Sequence, residues 1–523
     1  MKTKWFLGLF FLLFIGVFAL SHTFINNKKR KNQTKIDYTE IPPYFGAEPI
    51  SLLDHTQTKK NQKDIVVVIP SYNNEEFCVK NIESVLCQEY QNFRVIYIDD
   101  CSKDNTYKIA KDVFEKWGRP DRYILLHNKN RYGAMANLYR AIHRCKPNEI
   151  VVTLDGDDWF SHEKVLEWLN TVYSHNNTWL TYGQYIDYPN YTFGCNRSIH
   201  WDKWSPSTFR KHRWITSHLR TFYAGLFHQI KLEDFYYKDS FYQMAWDLSM
   251  IFPMIEMGWG HVRFIPDVLY VYNKLNPIND DKVNIKLQES LSEQIKSKKP
   301  YLPIKSFLET KNLEKNYFDV IVFSKNISSD LLKTLDSLKA SLSTKNKVII
   351  FFENKGNDNG FEKIKKDYPY KFFQIAFNAE TSMSLVNKIK ENINSEYILV
   401  STDKAIFEID SFEKHLGYLR KTKASGMHLS LQKDNRLQNL NVKGAFPLVP
   451  LFDDVYSWQY DKNSQLMSKA DIFTAGIYSN KALIEKLKKN HCINLEALLE
   501  NWIKNIDQGE VRLFLDKKSC YMQ

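Results

Sequence analysis

The sequence predicts an α/β protein in which a mostly parallel sheet occurs twice in tandem, behind one N-terminal transmembrane helix. Three observations support this class. Short runs of β-branched and aromatic residues alternate with helix-length segments between residues 64 and 158. A similar series recurs between residues 319 and 516. Near the amino terminus, an uninterrupted apolar run extends from Trp5 to Leu20.

The composition sets limits on the function. The chain has 523 residues, 43% of them hydrophobic and 15% aromatic, which suits two or three folded domains. Its net charge of +12 is compatible with anionic lipid or phosphorylated small molecules. The sequence lacks zinc-finger spacing, an RNA-binding signature and a long basic helix, so we expect no nucleic-acid partner. Seven cysteines without a CxxC pair predict buried free thiols.

The amino terminus predicts a membrane anchor. The span from Trp5 to Ile25 is long enough to cross a bilayer at ~1.5 Å rise per residue. A cleaved signal peptide, with Ala19 and Ser21 before the cut, is the alternative, but the apolar run is long for one. We therefore assign residues 1–25 to the anchor and the polar residues 26–62 to a tether. The lysines on either side favour a cytoplasmic globular part, with the secretory lumen (type II) as the alternative.

The first half is predicted as four strands separated by three helices. The strands cover 64–70, 94–100, 122–128 and 149–158, and the helices 75–88, 105–117 and 135–145. Ligands of such sheets bind beyond the carboxyl ends of the strands. Acidic residues stand at two of these ends, at 99–100 and at 155–158.

The segment "VVTLDGDDWF" predicts a divalent-cation site. If it is extended, Asp155 and Asp157 point the same way, and their carboxylates converge. Mg²⁺ and Mn²⁺ prefer such oxygen ligands and would offset the repulsion between the acids. An acidic turn after a strand is the alternative, because a motif this short also occurs by chance.

The second acidic pair, Asp99 and Asp100, follows another strand. A carboxylate at this position can accept hydrogen bonds from a base N–H or from ribose hydroxyls. Helix capping is the alternative, since Ser102, Asp104 and Asn105 are all good capping residues. Both roles can hold together.

Four motifs taken together resemble family 2 glycosyltransferases, which have the GT-A fold, a Rossmann-like nucleotide-diphospho-sugar transferase fold. They are "VVVIPSYNNEE", "VIYIDDCSKDNT", "NRYGAMANLYRAI" and "VVTLDGDDWF", in the family's order and spacing. The resemblance extends over about residues 64–275, and it implies a catalytic GT-A domain at 63–275. One departure is Cys101, where the family more often has glycine.

The resemblance also implies where a nucleotide would bind. The base would lie beside Pro70, Ser71 and Tyr72. The uracil or ribose would contact Asp99 or Asp100, of which Asp100 is favoured. The implied donor is a nucleotide sugar, with a UDP-sugar favoured.

The diphosphate and metal positions follow from the same resemblance. Gly133 and Asn137 would lie near the diphosphate and the donor sugar. Asp155 would face the ribose and the metal, and Asp157 would be the main ligand of Mn²⁺ or Mg²⁺. Asp158 would support the loop or touch the sugar or the acceptor.

A transferase of this kind also needs a general base to remove the acceptor's proton. The resemblance places Asp247 at the second acid of the family's Glu-Asp pair, but Trp246 replaces the preceding Glu. An acid in the first turn of a helix is the alternative, and one carboxylate can hold both roles.

A segment rich in tryptophan, histidine and arginine precedes Asp247, between Tyr191 and Arg220. Flat aromatic faces and guanidinium groups suit sugars and phosphates, so the segment is a candidate acceptor loop. A surface helix anchored by tryptophans is the alternative. The residues concerned are Trp201, Trp204, Arg210, His212, Arg213, Trp214, His218 and Arg220.

The C-terminal half, residues 316–523, is predicted as a degenerate GT-A-like copy, reached through a connector at 276–315. Aligning "EYILVSTDKAIF" with "EIVVTLDGDDWF", with a one-residue gap before Asp403, puts Asp403 on Asp155 but Ala405 on Asp157. Glu353 falls near Asp100, and Glu496 falls on Asp247. Without the main metal ligand we expect neither metal nor transfer there. The copy would be a structural domain, or a module that binds acceptor glycan or a second subunit.

The sequence therefore predicts a membrane-anchored, metal-dependent inverting glycosyltransferase acting on a hydroxyl of a glycan or glycolipid. One alternative is a sugar-nucleotide nucleotidyltransferase, but "PSYNNEE" replaces the glycine- and arginine-rich loop that such enzymes have after the first strand. A phosphatase with a D-x-D motif is disfavoured by Trp159, where a Thr or Val is needed. The third alternative is a glycan-binding or scaffold protein with two inactive domains.

Overall fold

The described residues of the computed structural model begin at residue 62. They cover 62–308 except 175, 176 and 239, and then eleven segments: 318–325, 327–343, 345–353, 361–374, 381–407, 412–429, 449–452, 455–459, 475–489, 511–515 and 520–522. All of them belong to one compact unit that spans residues 46–523. The predicted anchor and residues 26–61 of the tether lie outside the described residues. No helix of the described part is long and apolar enough to cross a bilayer.

The first half is built around a mixed sheet. Its strands in chain order are β1 (Ile65–Ser71), β2 (Phe93–Asp99), β3 (Tyr123–His127), β4 (Ile150–Thr153), β5 (Trp159–Phe160), β6 (Leu180–Tyr188), β7 (Arg220–Tyr223) and, after the hairpin β8 (Tyr236–Tyr237) and β9 (Ser240–Phe241), β10 (Val262–Asn273). The order across the sheet is β3-β2-β1-β4-β7-β6-β10-β5. Strands β3, β2, β1 and β4 are parallel, as the sequence predicts. Strand β7 runs antiparallel to both β4 and β6, so the sheet is mixed rather than mostly parallel.

Helices follow the parallel strands as expected. In chain order they are α1 (Cys78–Leu86), α2 (Thr106–Trp117), α3 (Ala134–Ile142), α4 (Val165–Ser174), α5 (Ala224–Phe227), α6 (Trp246–Met257), α7 (Asp280–Val283) and α8 (Ile285–Ser297). Helix α2 ends at Gly118, whose φ of 69° provides the left-handed cap that glycine adopts without strain. These helices cover a sheet whose first strand is buried along its whole length, which explains the uninterrupted apolar character of β1.

Residues of the predicted connector pack on the first half. Arg210 pairs with Glu256 of α6 at 2.5 Å and also donates to the Ile295 carbonyl of α8 at 3.0 Å. The Tyr301 amide donates to the same Glu256 at 2.8 Å. This buried network fixes α8 against α6, the helix in which Asp247 lies.

The second half forms another mixed sheet. Its elements are β11 (Asp319–Ser324), α9 (Ser329–Ser341), β12 (Val348–Phe352), α10 (Phe361–Asp367), β13 (Lys371–Gln374), α11 (Thr381–Asn392), β14 (Tyr397–Thr402), β15 (Ala405–Phe407), α12 (Phe412–Thr422), β16 (Gly426–His428), β17 (Val449–Phe452), β18 (Val455–Gln459), β19 (Ala475–Ser479), α13 (Asn480–Lys489), β20 (Val511–Leu515) and β21 (Cys520–Met522). The order is β13-β12-β11-β14-β19-β16-β20-β18-β17. Through β20, each strand occupies the place of its counterpart in the first sheet. The antiparallel pairing of β14 with β19 likewise repeats that of β4 with β7.

The two halves meet through side chains that are buried on both sides. The hydroxyls of Tyr236 and Ser457 share a hydrogen bond in the interior. The Ser425 amide donates to the Glu233 carboxylate at 2.7 Å. The ring of His143, just after α3, lies 6.1 Å from the ring of Phe452 in β17. The contacts from the first half thus come from α3 and from the stretch that leads to Asp247.

Candidate active site

A cavity of about 260 Å³ opens at the carboxyl ends of β1 and β4. Its lining includes every residue that the sequence proposes for the donor, the metal and the base, except Asp99. The side chains come from loops after parallel strands, from the start of α3 and from the start of α6. This is the edge at which α/β sheets bind their ligands.

The acidic segment after β4 forms a turn instead of continuing the strand. Strand β4 ends at Thr153, and the Asp158 amide donates to the Asp155 carbonyl at 3.1 Å. The Asn81 side chain donates to the carbonyls of residues 155 and 158 at 2.8 and 2.7 Å. The expectation that strand alternation makes Asp155 and Asp157 converge is therefore wrong. Both line the cavity because the turn brings them there.

Asp158 holds this turn from within. It is fully buried, and its two oxygens accept hydrogen bonds from the Tyr270 hydroxyl at 2.5 Å and the Asn273 amide at 2.7 Å. Of the two roles the resemblance implies for Asp158, the geometry favours loop support. The expected contact with the donor stays a prediction: Asp158 belongs to the cavity lining, but both of its oxygens already accept hydrogen bonds from β10.

Asp155 and Asp157 have different neighbours. Asp157 accepts a hydrogen bond from the side-chain nitrogen of Asn276 at 2.8 Å. Asp155 lies 3.8 Å from the guanidinium of Arg220 and 4.0 Å from the ring of His218. Asp155 therefore faces the floor of the cavity, and Asp157 faces the loop after β10.

Burial perturbs all three acids. Burial raises the pKa of Asp155 to about 6; the charges of Asp157 and Asp247 raise it further, and that of Arg220 lowers it. Burial also raises the pKa of Asp157, against the hydrogen bond from Asn276. For Asp158, burial and the neighbouring carboxylates raise the pKa strongly. The cavity thus concentrates more negative charge than its described cations offset, which suits a bound divalent cation.

Ligand atoms of Asp155, Asp158 and His218 lie within 4.8 Å of one another. His218 is not well placed as a ligand in this arrangement, because its Nδ1 faces a guanidinium nitrogen of Arg220 at 3.1 Å. Asp158 is engaged by β10, as described above. Asp157 does not belong to this cluster of described residues, so a divalent cation shared by Asp155 and Asp157 stays a prediction.

Gly156 is required by the packing of the turn. A Cβ at this position would lie 2.5 Å from Ser71 Oγ and 2.9 Å from the side-chain nitrogen of Asn74. The turn therefore packs directly on the end of β1, where Ser71 also accepts a hydrogen bond from Asn74 at 3.0 Å. Asp403 occupies the corresponding place in the second half, and a side chain of that size would not fit the first.

The second acidic pair divides into two roles. Asp100 lines the cavity and accepts hydrogen bonds from the amides of Tyr132 at 2.9 Å and Gly133 at 2.8 Å. It therefore shapes the loop before α3. Asp99 does not line the cavity, which corrects the expectation that it contacts the nucleotide. Its carboxylate accepts from the Ser102 amide at 3.1 Å and lies 2.9 Å from Nδ1 of His127, because consecutive residues at a strand end point in opposite directions.

Two further groups could meet a nucleotide. The guanidinium of Arg131 stacks on the ring of Tyr72, 3.9 Å from its centre. Asn137 is 1% exposed, and its side-chain nitrogen has no hydrogen-bond partner among the described residues. A buried donor of this kind on a cavity wall is well suited to an acceptor oxygen of a ligand. Gly133 precedes α3 with a φ of 87°, and a Cβ there would lie 2.9 Å from the side chain of Gln243.

Asp247 lies in the first turn of α6, which agrees with the alternative that it is a first-turn helix acid. It also lines the cavity, with its side chain 20% exposed. A guanidinium nitrogen of Arg220 donates to one of its oxygens at 2.7 Å. Both roles that the sequence leaves open for Asp247 are thus compatible with its position.

The tryptophan-rich segment is mostly structural. Arg210 is buried against Glu256, Trp204 stacks on His212 with centroids 4.0 Å apart, and Trp214 packs on Phe252. Of the residues named for the acceptor loop, the cavity lining includes only His218 and Arg220. The composition of this segment therefore reflects packing more than ligand contact.

In the second half, the Asp403 amide donates to the Phe323 carbonyl at 3.1 Å, as the Gly156 amide donates to the Pro70 carbonyl in the first half. Asp403 therefore occupies the place of Gly156 and not that of Asp155, which corrects the alignment. Its side chain accepts a hydrogen bond from the Ser324 hydroxyl at 2.5 Å, and Ala405 is fully buried where the first half has Asp158. Glu353 follows β12 as Asp100 follows β2. Glu496 lies outside the described residues.

Sequence reasoning overlooked several residues of this site: Asn81, Arg131, Tyr270, Asn273 and Asn276. Each meets the acidic turn or the cavity from a distant point in the chain. A signal was available for the last three in the apolar run "VRFIPDVLYVYN", which is typical of a strand and lies shortly before or around them. Nothing in the sequence singles out Asn81 from the other polar residues of α1.

Comparison with known proteins places the site in a family context. Residues 66–233 match the model of glycosyl transferase family 2. The chain is 32% identical over 124 residues to the glycosyltransferase GlyG of Streptococcus pneumoniae, which covers 24% of this chain and 40% of that protein. It is 29% identical over 125 residues to an uncharacterised glycosyltransferase of Haemophilus influenzae, which covers 24% of this chain and 48% of the relative. The chain therefore spans less than half the length of these relatives.

Among solved structures, the chain is similar to S. aureus TarS 1-349 in complex with UDP-GlcNAc, with a TM-score of 0.32 and 16% identity. That match covers 41% of this chain and 59% of TarS 1-349, and a score this low carries no inference about the ligand. The matched segment 66–233 contains most of the cavity lining. The first half thus matches the model of glycosyl transferase family 2 over residues 66–233, the family that the sequence resembles.

Proposed function

We propose that the protein is a membrane-anchored, metal-dependent inverting glycosyltransferase. It would move a sugar from a nucleotide-diphosphate donor, with a UDP-sugar favoured, to a hydroxyl of a glycan or glycolipid. The observation that carries the proposal is the single cavity that contains both the acidic turn and Asp247. The family 2 match over residues 66–233 supports the reaction class.

The donor is assigned to the side of the cavity formed by β1, the loop before α3 and the acidic turn. Tyr72 offers a ring face for the base, next to Arg131. The Asn137 side-chain nitrogen, a donor without a partner among the described residues, is available to a diphosphate or sugar oxygen. Asp100 orders the Tyr132 and Gly133 amides around this position.

Asp155 and Asp157 would hold a Mn²⁺ or Mg²⁺ ion. The fit rests on two observations. Both residues offer only oxygen ligands, and burial raises the pKa of both acids, so a bound cation would stabilise their charged forms. Such an ion supplies positive charge against the leaving diphosphate. The turn that presents the two carboxylates is fixed by Asn81 and Asp158.

Asp247 would act as the general base. Its carboxylate reaches the cavity from the start of α6, across from the end of β1. One of its oxygens is bound by Arg220, and the carboxylate keeps lone pairs for the proton of an acceptor hydroxyl. Attack from the side opposite the leaving group would invert the anomeric centre.

The second half would be a degenerate copy of the first. The shared strand order supports this proposal, as does Lys404 where the first half has Asp157. Its role would be structural or in acceptor binding. The anchor at residues 1–25, and the cytoplasmic side for the globular part, remain predictions from the sequence alone.

The test is release of nucleoside diphosphate from a panel of nucleotide sugars with Mn²⁺, with and without candidate acceptors. We expect one donor to be turned over, and Asp157→Ala to abolish both Mn²⁺-dependent donor binding and turnover. Asp247→Asn should lower kcat by roughly 10²–10⁴-fold and leave donor binding unchanged. Full activity of both variants would refute the proposal.

A further inference from the structure

Arg220, the first residue of β7, is the most deeply buried cation of the cavity among the described residues. It is 2% exposed, which is rare for an arginine and costly unless the charge is matched. Its guanidinium lies among Asp247, Asp155, His218 and the ring of Trp246. The role of Arg220 depends on which of these groups it binds.

Distances favour Asp247. One guanidinium nitrogen donates to Asp247 at 2.7 Å, a charge-assisted hydrogen bond of ordinary length. The nearest oxygen of Asp155 is 3.8 Å away, beyond hydrogen-bonding distance. The other terminal nitrogen is directed to Nδ1 of His218 at 3.1 Å. Arg220 therefore binds the candidate base and only neighbours the candidate metal ligand.

Two contacts keep the guanidinium in place. His218 accepts through Nδ1, so its proton resides on Nε2, and its ring stacks on Tyr270 with centroids 4.5 Å apart. The Trp246 ring lies 5.4 Å from the guanidinium carbon on another side. An acid at position 246 would bring a second negative charge to Arg220. With Trp246 at this position, no acid there competes with Asp247 for the guanidinium.

We propose that Arg220 is the positioning residue of the candidate base, an inference that rests on the proposed function. It holds the Asp247 carboxylate in one orientation toward the acceptor side of the cavity.

The test compares two buried arginines. Arg220→Met removes the charge beside Asp247, and Arg220→Lys keeps the charge without the planar fork. Arg210→Lys is the matched control, because Arg210 is equally buried but pairs with Glu256 away from the cavity. For each variant we would measure kcat, the Kd of the nucleotide donor with Mn²⁺, and the melting temperature.

We expect Arg220→Met to lower kcat at least tenfold while the donor Kd changes less than threefold. A third variant, Arg220→Ala, removes the side chain beyond Cβ. Guanidinium chloride at millimolar concentration should restore part of its activity, because the free ion can take the place of the missing group. The double variant Arg220→Met with Asp247→Asn should be no slower than Asp247→Asn alone, because both changes disable one unit. Arg210→Lys should lower the melting temperature and leave kcat of the folded protein unchanged.

A kcat within threefold of wild type for Arg220→Met would overturn the inference, as would a multiplicative loss in the double variant. Should Arg220→Met not fold, Arg220→Lys and the guanidinium rescue decide the question. Full activity of Asp247→Asn would refute the base itself and Arg220's role with it. An inactive Asp247→Asn beside an active Arg220→Met would refute only the role of Arg220.

Discussion

At the scale of single residues, the main feature of the site is a group of closely spaced, buried acidic side chains. Asp155, Asp157 and Asp158 follow one another within four positions, and each has a raised pKa because it is buried. Asp158 is satisfied by β10, and Arg220 only partly offsets the others. The remaining charge is what a divalent cation would neutralise.

Cation binding should therefore depend on pH in the range set by Asp155. A proton and a cation compete for the same carboxylate, and the pKa of Asp155 is raised to about 6 in the cation-free protein. Above pH 7 the carboxylate is ionised, so the Mn²⁺ affinity should be nearly constant. Below pH 6 the affinity should fall by roughly tenfold per pH unit for each proton displaced. Calorimetric titration of the protein with Mn²⁺ at pH 5, 6 and 7.5 measures this.

Asp155→Asn provides the control for that titration. It should bind Mn²⁺ weakly at every pH and lose most of the dependence between pH 5 and 7. An affinity that stays flat down to pH 5 in the wild-type protein would show that Asp155 is not a ligand of the ion.

Single residues also show what sequence reasoning could reach. The types and positions of the acids predicted the place of the site. Their orientations depended on partners far along the chain, so Asp99 could not be told from Asp100 without the contacts of His127 and Gly133. The structural role of Asp158 likewise depends on Tyr270 and Asn273, more than 100 residues away.

At the scale of elements, the turn between β4 and β5 determines the site. Its closest packing is at Gly156, against the end of β1. Periodicity predicted the bounds of β1, β2 and β3 within one residue, because each is a short apolar run. It predicted an extended segment through residue 158 where the chain turns, since the bonds that form the turn come from α1 and β10.

Gly156→Ala tests the packing of this turn. The new Cβ would lie 2.5 Å from Ser71 Oγ, so the turn or β1 must move. We expect the free energy of unfolding to fall by about 1–3 kcal/mol and Mn²⁺-dependent donor binding to weaken. Chemical denaturation and calorimetry measure the two effects.

Gly417→Ala is the matched control. Gly417 lies in α12, and a Cβ there meets nothing within 4 Å. This change should stabilise the protein by roughly 0.5–1 kcal/mol, because alanine favours the helix. If Gly156→Ala behaved like Gly417→Ala, the turn would not pack on Ser71 as described.

At the scale of the whole molecule, two sheets with the same strand order share a buried boundary. The contacts of the first half include Glu233 and Tyr236, in the stretch that continues to Asp247. The second half is therefore placed to stabilise the segment that presents the candidate base. The sequence predicted the second series of strands from its echoes of the first, but no local pattern predicts which surfaces of the two halves meet.

The buried pair Tyr236 and Ser457 tests this boundary. Tyr236→Phe removes one partner of this buried hydrogen bond. The free energy of unfolding should fall by about 1–3 kcal/mol. Adding Ser457→Ala should cost less than the sum of the two single changes, because both remove the same bond. Equal stability of the wild-type, single and double variants would contradict the contact.

The central claim is that the cavity of the first sheet binds a nucleotide diphosphate through a divalent cation at the acidic turn. The most direct measurement is a crystal structure of the protein with UDP and Mn²⁺, with the ion located by its anomalous signal. We predict a manganese peak bound by Asp155 and Asp157 and bridged to the diphosphate, with the base beside Tyr72. A manganese peak elsewhere, or a nucleotide bound near Asp403 in the second half, would contradict the claim.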